Sequence, residues 1–512
     1  MFTARRSDQD ALNLRVLSSD QPTGPLGGRT MRGGAIAVGA QVLRMVLQIG
    51  GVSALAHLLA PDQFGLVAMG STVTVFVSVL TDLNMATAAI QREKLDQQTA
   101  SGMFFYSFAM GLATLAIAMI AIPPALWIFK DSRLTFIIIG LAATTPISAL
   151  GSMHQALMMR NMKWLDVHAL SIASLAFGTL VSVLAAWKFN AGYWALIIQS
   201  WTTAASFVVL AWIRCPWRPS LVHDWSGAKS TLKFGLNLSA AMILNYFARQ
   251  MDNVLIGWRW GPTALGYYSR AYSLLQTPLN FLTGPLGSTM VPAMSQLRNE
   301  PEKWRKAYLD ALAVITAIGG GMACLLYGGA GTIIDILLGP GWDESKQIFS
   351  NLALAMLAAT PMRTTGWIYI SLGRTNRMLQ WGLIGVPMYI AAFIIGLPYG
   401  GEGVALSYSI SQLIAFAPCM WMATRDTNIT MKDIVLVVAF PTLATIAVGL
   451  GLATATAHLG LMAAVAAIAA AGLVYVALAA LALWRVPVYE RLRSRAVNMA
   501  DKVLRKPNAL QQ

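Results

Sequence analysis

Residues 245–252, Asn-Tyr-Phe-Ala-Arg-Gln-Met-Asp, place an arginine and an aspartate within a stretch that is otherwise suited to lipid. The residues "FGLNLSAAMIL" precede them from Phe234, and "NVLIGW" follows them to Trp258. A run of about 20 mostly apolar residues is long enough to cross the hydrocarbon core of a bilayer. Ionisable side chains within such a run are rare and face the protein interior or a water-filled cavity. The stretch therefore predicts a membrane-spanning helix with one polar face.

The composition of the whole chain indicates the same environment. Of the 512 residues, 56% are hydrophobic and only 12% are charged, against about 25% charged in a typical soluble protein. The mean hydropathy is +0.58. The sequence therefore predicts an all-α polytopic membrane protein. The three cysteines are far apart, with no CxxC and no metal-ligand spacing, so neither a disulfide framework nor a metal site is predicted.

The hydrophobic segments predict fourteen transmembrane helices. Their approximate bounds are 34–58, 63–90, 98–127, 134–157, 164–187, 192–213, 232–257, 263–293, 307–328, 347–372, 377–397, 402–424, 433–456 and 459–484.

The positive charges orient these spans. With the N-terminus inside, the inside segments carry 28 of the 37 Lys and Arg residues, the outside loops carry 5, and 4 lie within spans. This asymmetry follows the positive-inside rule and predicts that both termini are cytoplasmic. Because the net charge of +15 is distributed over span ends and not in one patch, no nucleic-acid partner is predicted.

The segments outside the membrane are short. Residues 1–32 form a polar cytoplasmic tail without a secretory signal, and residues 485–512 form a basic cytoplasmic tail that we expect to lie on the anionic lipids of the inner leaflet. The longest outside loop, about 329–346, is too short to hold a catalytic domain. No phosphate-binding GxxxxGK[ST] loop and no hydrolase motif occurs. The sequence therefore predicts a protein that is not an enzyme, that has no resident cofactor and that takes its energy from an ion gradient, the membrane potential or downhill flux.

The chain contains an internal repeat. "APDQFG" at Ala60–Gly65 resembles "GPTALG" at Gly261–Gly266, with an offset of 201 residues. Two further pairs follow in order: "LAATTP" with "LAATP", and "WAL" with "VAL". Because the offset places span 1 on span 7, an even number of spans separates the copies and both enter the membrane in the same sense. We expect two six-helix lobes related by a pseudo-twofold axis along the membrane normal, with a central cleft between them.

The repeat defines the domain boundaries. We predict an N-lobe at 33–215 with spans 1–6, a cytoplasmic linker at 216–231, and a C-lobe at 232–424 with spans 7–12. Two additional C-terminal helices, spans 13–14, occupy 433–484.

Polar residues recur on corresponding faces of spans 1 and 7. Residues 245, 249 and 252 are spaced at i, i+4 and i+7, which places them on one helix face. The residues at 41, 44 and 48 also share one face of span 1, and the offset of 201 places 44 on 245 and 48 on 249. Further ionisable or polar residues lie in spans 2, 8 and 10. The predicted site comprises the arginines Arg44, Arg249, Arg270 and Arg363, the acids Asp82 and Asp252, and the polar cavity residues Gln41, Gln48, Asn245 and Asn280.

The balance of these charges predicts the ligand. A charge at the centre of a span costs about 2.5–3.5 kcal/mol on insertion scales, so these side chains need a partner or a water-filled cavity. Ion pairs of Arg249 with Asp252 and of Arg44 with Asp82 are one interpretation. Four arginines nevertheless outnumber two acids, and an excess of guanidinium groups favours an anionic ligand.

Four stretches of the sequence resemble a known family. The chain, from about Arg32 to Arg425, resembles the polysaccharide-transporter branch of the MOP exporter superfamily, and is similar to Wzx-type flippases and to colanic acid and succinoglycan transport proteins. The stretches are "LAPDQFGLVAM", "NYFARQMDNVLIG", "GYYSRAYSLLQTPLN" and "LLGPGW". The last two spans and both tails match less specifically.

This resemblance implies a flippase of the bacterial inner membrane. Such a protein would take an oligosaccharide repeat unit linked to undecaprenyl diphosphate from the cytoplasmic to the periplasmic face, for exopolysaccharide, capsule or O-antigen biosynthesis. It would work by alternating access of two lobes, coupled to H⁺ or Na⁺. The four arginines would then bind the diphosphate, and Asp82 and Asp252 would carry the coupling ion. A polymerase and a chain-length regulator of the same pathway are the implied protein partners.

Three other interpretations remain. A drug or metabolite exporter of the multidrug branch would share the fold, although acidic and aromatic linings suit cationic drugs better than an excess of arginine. A membrane polymerase or acyltransferase would be expected to have a large periplasmic loop. The protein could also be a passive scaffold for a synthesis complex. In that case, its removal would not affect the delivery of lipid-linked repeats to the periplasm.

Overall fold

The computed structural model describes the backbone of residues 2–17, 26–81, 85–92, 95–222 and 226–485. It describes their side chains except at 2–8, 10, 26–38, 226–245, 248, 249, 483 and 485. Every regular element within these ranges is a helix, and no β-strand occurs in them. The all-α class predicted from the sequence is therefore confirmed. The basic tail lies outside the described residues, apart from the backbone of Arg485.

The chain divides into two compact units. Unit 1 comprises Met1–Ser269 and Leu337–Gly341, and unit 2 comprises Arg270–Ile336 and Trp342–Gln512. The division lies within a helix, C-terminal to the predicted linker at 216–231. The boundaries of the lobes stay a prediction.

Unit 1 is built from ten helices and the first part of an eleventh. These helices are α1 (Phe2–Leu17), α2 (Leu26–Ala56), α3 (Pro61–Thr81), α4 (Met85–Gln91), α5 (Gln97–Ile120), α6 (Ile122–Phe129), α7 (Leu134–Ala142), α8 (Thr144–Arg160), α9 (Trp164–Phe189), α10 (Trp194–Arg214) and α11 (Ser226–Gln296).

Unit 2 contains the remainder of α11 and the helices that follow it. They are α12 (Pro301–Gly328), α13 (Ala330–Leu337), α14 (Asp343–Met362), α15 (Thr365–Ser371), α16 (Thr375–Gly396), a 3₁₀ turn (Leu397–Tyr399), α17 (Gly400–Thr424), α18 (Met431–Thr456) and α19 (Leu461–Arg485).

Helix α11 is interrupted at Gly261. The φ of 82° and ψ of −173° at this residue lie outside the helical region, in a conformation that glycine adopts without steric cost. Pro262 follows, at a position where a helix can begin without an amide hydrogen. Helix α11 therefore consists of two helices, which match the spans predicted separately at 232–257 and 263–293.

Ten helical stretches in the described part of the chain are long and apolar enough to cross a membrane. One of them, Thr375–Thr424, covers two predicted spans. Helices α11 and α14, which match the predicted spans 232–257, 263–293 and 347–372, are not among the ten. A multi-pass membrane protein is thus confirmed, whereas the count of fourteen spans and the cytoplasmic termini stay predictions.

Each unit has its own aromatic core. In unit 1, the buried ring of His154 stacks on Trp212 with 4.6 Å between centroids, and Trp217 lies edge-on to it at 5.4 Å. In unit 2, Trp304 and Tyr308 stack at 6.1 Å, and the hydroxyls of Tyr308 and Thr364 are 2.8 Å apart. Large rings of this kind contribute strongly to the free energy of folding because they bury much apolar surface.

The predicted polar N-terminal tail contains a helix. Asn13 of α1 is 3% exposed. Its Nδ2 donates to the carbonyl of Arg218 at 3.1 Å, and its Oδ1 accepts from the amide of Arg218 at 2.9 Å. Gln9 donates to the carbonyl of Pro216 at 2.8 Å. Helix α1 is therefore held on the segment that follows α10, an interaction that the polar composition of residues 1–32 did not predict.

Candidate functional site

Unit 1 contains a polar cavity that is open on one side. Its volume is about 900 Å³, and α2, α3, α4, α5, α8, α9 and α10 contribute to its wall. Helix α5 packs on α8, and α9 packs on both α10 and α2, so these helices surround the space. The helices are apolar enough to span the membrane, and the cavity is therefore a polar compartment within the helix bundle.

Half of the lining residues of the wall carry hydroxyl side chains. Of the 26 lining residues, 13 are Ser or Thr and three are Gln. Arg44 is the one charged residue among the lining residues that the structure describes. A buried polar wall is costly in hydrocarbon unless its groups find hydrogen-bond partners. The composition therefore indicates a site for a polar ligand.

Helix α2 supplies the charged part of the wall. Arg44 and Gln48 lie one helical turn apart, both are exposed, and both line the cavity. Gln41, one turn earlier, is half-buried and is not among the lining residues. The structure thus brings two of the three predicted span-1 residues to one cavity.

Helix α8 supplies the longest part of the hydroxyl wall. Thr144, Thr145, Ser148, Ser152 and Gln155 all line the cavity. The last three are spaced at i, i+4 and i+7 and share one face of the helix. Leu150 and Met153, which lie between them, pack in the core of unit 1. This arrangement makes α8 amphipathic inside the membrane.

The helices tolerate these hydroxyls in part because several of them donate to carbonyls of their own helix. Ser107 Oγ donates to the carbonyl of Met103 at 2.9 Å, and Ser171 Oγ donates to that of Val167 at 2.8 Å. Such bonds satisfy the hydroxyl hydrogen within a spanning helix. The oxygen lone pairs remain available, so the wall offers acceptors to a ligand.

Unit 2 contains a second polar cluster, around Arg363 at the C-terminal end of α14. The Nη1 of Arg363 donates to Asn280 Oδ1 at 3.0 Å and is 3.5 Å from Thr283 Oγ1, and its Nη2 donates to Gln276 Oε1 at 3.0 Å. These three acceptors are neutral, so they orient the guanidinium group without adding a carboxylate. Arg363 and Asn280, both predicted as site residues, are therefore in direct contact.

Asp252 is buried in unit 1, with 2% of its surface exposed. Its Oδ2 accepts from the hydroxyl of Tyr268 at 2.9 Å, and its Oδ1 accepts from the amide of Asn253 at 2.8 Å. Tyr268 lies beyond the Gly261 interruption, so this bond joins the two parts of α11. The buried carboxylate of Asp252 therefore stabilises the bend at Gly261. It is also a candidate ion site.

The structure describes only some of the other predicted site residues. Asp82 lies outside the described residues, and so do the side chains of Asn245 and Arg249. The predicted pairs Arg249–Asp252 and Arg44–Asp82 therefore stay predictions. Arg270 is half-buried in the second part of α11.

The sequence contained a signal for the hydroxyl wall that its interpretation did not use. Ser and Thr occur at helical spacing in the middle of α5, α8, α9 and α10, at positions that a lipid-facing helix would fill with Leu, Ile or Val. Single hydroxyls are common in spanning helices because they bond to the preceding turn. Their coincidence on several helices is what marks a cavity.

Solved structures show which class of protein has this fold. The lipid II flippase MurJ in an inward closed conformation matches with a TM-score of 0.68 and 12% identity, over 89% of this chain and 100% of that chain. An inward-facing multidrug resistance MATE family transporter of the MOP superfamily matches with a TM-score of 0.53 and 14% identity, over 81% and 97%. The chain thus has the fold of MOP-superfamily membrane transporters.

Within that class, the chain belongs to the polysaccharide biosynthesis protein family, whose model matches residues 54–347. It is similar to the teichuronic acid biosynthesis protein TuaB of Bacillus subtilis, with 23% identity over 398 residues, 76% of this chain and 82% of the relative. It is also similar to the lipopolysaccharide biosynthesis protein WzxC of Escherichia coli, with 20% identity over 388 residues, 75% and 79%. The succinoglycan biosynthesis transport protein ExoT of Rhizobium meliloti matches with 21% identity, over 65% and 67%. The family resemblance read from the sequence is confirmed.

Proposed function

We propose that this protein is a flippase that translocates oligosaccharide repeat units linked to undecaprenyl diphosphate across the bacterial inner membrane, for the synthesis of exopolysaccharide, capsule or O-antigen. The polar cavity of about 900 Å³ with Arg44 in its wall is the observation that carries the proposal. A lipid-linked saccharide has a large polar head that must cross hydrocarbon, and a polar compartment between helices lowers the free energy of that crossing. Membership of the polysaccharide biosynthesis family supports this assignment.

The topology belongs to the same proposal. Fourteen spans with cytoplasmic termini, arranged as two six-helix lobes and two additional helices, would allow alternating access to the two membrane faces. The ten apolar helical stretches and the positive-inside charge distribution support it. Movement of the head group through the protein is a transport step and involves no bond cleavage.

The arginines are proposed to bind the diphosphate. A guanidinium group donates two parallel hydrogen bonds to phosphate oxygens, which gives both affinity and orientation. Arg44 lines the cavity, and Arg363 is oriented by neutral acceptors. Arg249 and Arg270, both in α11, complete the proposed set.

Coupling to H⁺ or Na⁺ is assigned to Asp252 and Asp82. Asp252 is buried within a membrane-spanning unit, where binding or release of a cation changes the local electrostatic energy strongly. Its contact with Tyr268 across the Gly261 interruption links the charge of this group to the bend in α11. Anionic lipids of the inner leaflet, a polymerase and a chain-length regulator are the proposed partners.

The proposal is tested in the producing bacterium by removing the gene. Lipid-linked repeat units should then accumulate at the cytoplasmic face, and surface polymer should fall by at least about tenfold. The native gene should restore both, and Arg44→Ala should restore neither, at equal protein level. A cationic dye efflux assay runs in parallel. Normal polymer export in the deletion strain together with lost dye efflux would instead identify a drug exporter.

A further inference from the structure

We infer that the cavity in unit 1 is the saccharide subsite of the carrier: it binds uncharged, polyhydroxylated sugar residues, and Arg44 marks its edge towards the charged part of the substrate. This inference rests on the proposed flippase function. It goes beyond that function because it separates where the sugars bind from where the diphosphate binds.

The chemistry of the wall excludes other ligand classes. An apolar drug would gain no hydrogen bonds from the 13 hydroxyls and three amides and would remove water from them, which is unfavourable. No Asp or Glu occurs among the described lining residues, so this described part of the wall offers no carboxylate to a cationic drug. One arginine is a sparse set of donors for a diphosphate, whereas neutral polar groups on several sides suit a sugar.

The direction of the hydroxyl bonds strengthens this assignment. Ser107, Ser152 and Ser171 donate their hydrogens to carbonyls of their own helices at 2.9, 2.9 and 2.8 Å. Their oxygens therefore act as acceptors towards the cavity. The diphosphate diester of a lipid-linked saccharide has no hydrogen to donate to such a wall at neutral pH, but every sugar hydroxyl does.

A buried hydroxyl in the wall also lacks a protein partner. Ser174 of α9 is 1% exposed, and its Oγ has no hydrogen bond within the described residues. Ser174 lines the cavity. A buried hydroxyl without a partner is unfavourable, so its presence beside the cavity adds to the polar character of this wall.

The amides supply the complementary donors. Gln48, Gln155 and Gln199 lie on three different helices of the wall, and each carboxamide has both donor and acceptor atoms. Gln199 Nε2 donates to Thr179 Oγ1 at 3.0 Å, which holds that side chain in place. Donors and acceptors on separate helices match the alternating hydroxyl directions of a sugar ring.

The size of the cavity fits a short saccharide. About 900 Å³ is near the upper end of the 300–1,000 Å³ that is typical of small-molecule sites. A repeat unit of a few sugars fits this volume, whereas a polymer does not. The volume of the cavity therefore matches a single repeat unit.

The test compares two lipids on the purified full-length protein in lipid nanodiscs. One probe is undecaprenyl diphosphate, and the other is the undecaprenyl-diphosphate-linked repeat unit extracted from the producing strain. The ratio of their Kd values measures the saccharide contribution. We expect the wild-type protein to bind the glycosylated lipid at least about tenfold more tightly, since tenfold corresponds to the net effect of one or two hydrogen bonds.

The variant Ser148→Ala/Ser152→Ala/Gln155→Met removes polar groups from the cavity face of α8. It should bring the ratio close to one while the Kd for undecaprenyl diphosphate stays within about twofold. The control Thr202→Val/Ser206→Ala removes two hydroxyls of α10 that bond to their own helix and do not line the cavity, and it should keep the wild-type ratio. Ser148→Trp, which fills the cavity from an exposed position, provides a second variant if the triple variant fails to fold.

The outcomes separate the two proposals. An unchanged ratio in a folded triple variant or in Ser148→Trp overturns the saccharide subsite and leaves the flippase proposal standing. A wild-type protein that binds neither lipid contradicts the flippase proposal itself, and the subsite with it. A ratio lost equally in the α10 control shows a general structural effect and also overturns the subsite.

Discussion

Gly65 in α3 and Gly266 in α11 make reciprocal contacts with each other's helices. A Cβ on Gly65 would overlap the carbonyl oxygen of Pro262, and a Cβ on Gly266 would overlap that of Pro61. Pro61 and Gly65 correspond to Pro262 and Gly266 in the predicted repeat, with the same offset of 201 residues. Exchange of equivalent partners is what a twofold relation between two copies produces. The contact is therefore consistent with the predicted parallel repeat.

This contact predicts that neither glycine tolerates a side chain. We expect Gly65→Ala and Gly266→Ala each to destabilise the protein by roughly 2 kcal/mol or more, because a backbone carbonyl cannot move aside as a flexible side chain can. Thermal unfolding in detergent and the yield of folded protein measure the effect. Gly284→Ala in the same helix is the matched control, since a Cβ there meets no atom within 4 Å and alanine favours helix. Equal stability of Gly65→Ala and Gly284→Ala would contradict the close contact.

The hydrogen bond between Asp252 and Tyr268 predicts an effect on folding. Tyr268→Phe removes the donor at 2.9 Å and leaves a buried carboxylate oxygen with fewer partners, which costs about 1–3 kcal/mol. Tyr246→Phe is the control, because its hydroxyl donates to the carbonyl of Thr72 at 2.8 Å and not to a carboxylate. The free energy of unfolding should fall further in Tyr268→Phe than in Tyr246→Phe.

Asp252→Asn tests ion coupling separately from folding. The amide has nearly the same shape but cannot bind and release a cation as a carboxylate does. We expect a folded protein whose transport no longer responds to an imposed H⁺ or Na⁺ gradient, measured in proteoliposomes. Transport by Asp252→Asn that responds to the gradient as the wild-type protein does would exclude this residue as the coupling group.

The cluster around Arg363 predicts cooperation between residues of α14 and α11. Arg363→Gln should reduce transport by at least about tenfold, since it removes a charge-assisted interaction with the diphosphate. Asn280→Ala should reduce it by a smaller factor, because it only frees the guanidinium group that it orients at 3.0 Å. In a double-mutant cycle the two effects should not add. Additive effects would mean that Asn280 does not act through Arg363.

The docking of α1 predicts a local change in stability. Asn13→Ala removes the two hydrogen bonds to the backbone of Arg218 and should release α1, with a local loss of about 1–3 kcal/mol. Hydrogen exchange of residues 9–17 measures this opening. Leu14→Ala changes a side chain that is 63% exposed on the same helix and should leave exchange nearly unchanged. Similar exchange rates in the two variants would show that Asn13 does not hold the helix.

The sequence predicted the helical class, the family and the polar nature of α11 because hydrophobic length and buried charge act over one segment at a time. It did not predict that Asp252 bonds to Tyr268, since that contact depends on the turn at Gly261. The contact between Arg363 and Asn280 joins residues far apart in the chain, and no local pattern encodes it. The sequence did not predict the hydroxyl wall, because a single Ser or Thr is common in a spanning helix and does not by itself indicate a cavity.

The most direct test of the account is the rate at which the purified protein moves its substrate in proteoliposomes. Undecaprenyl-diphosphate-linked repeat units labelled in the sugar are placed in both leaflets, and an external glycosidase reports the fraction that is accessible outside. We predict that wild-type protein raises this fraction from about half to nearly all, and that Arg44→Ala does not. A fraction that stays at about half with folded wild-type protein would contradict the claim that this protein is a flippase.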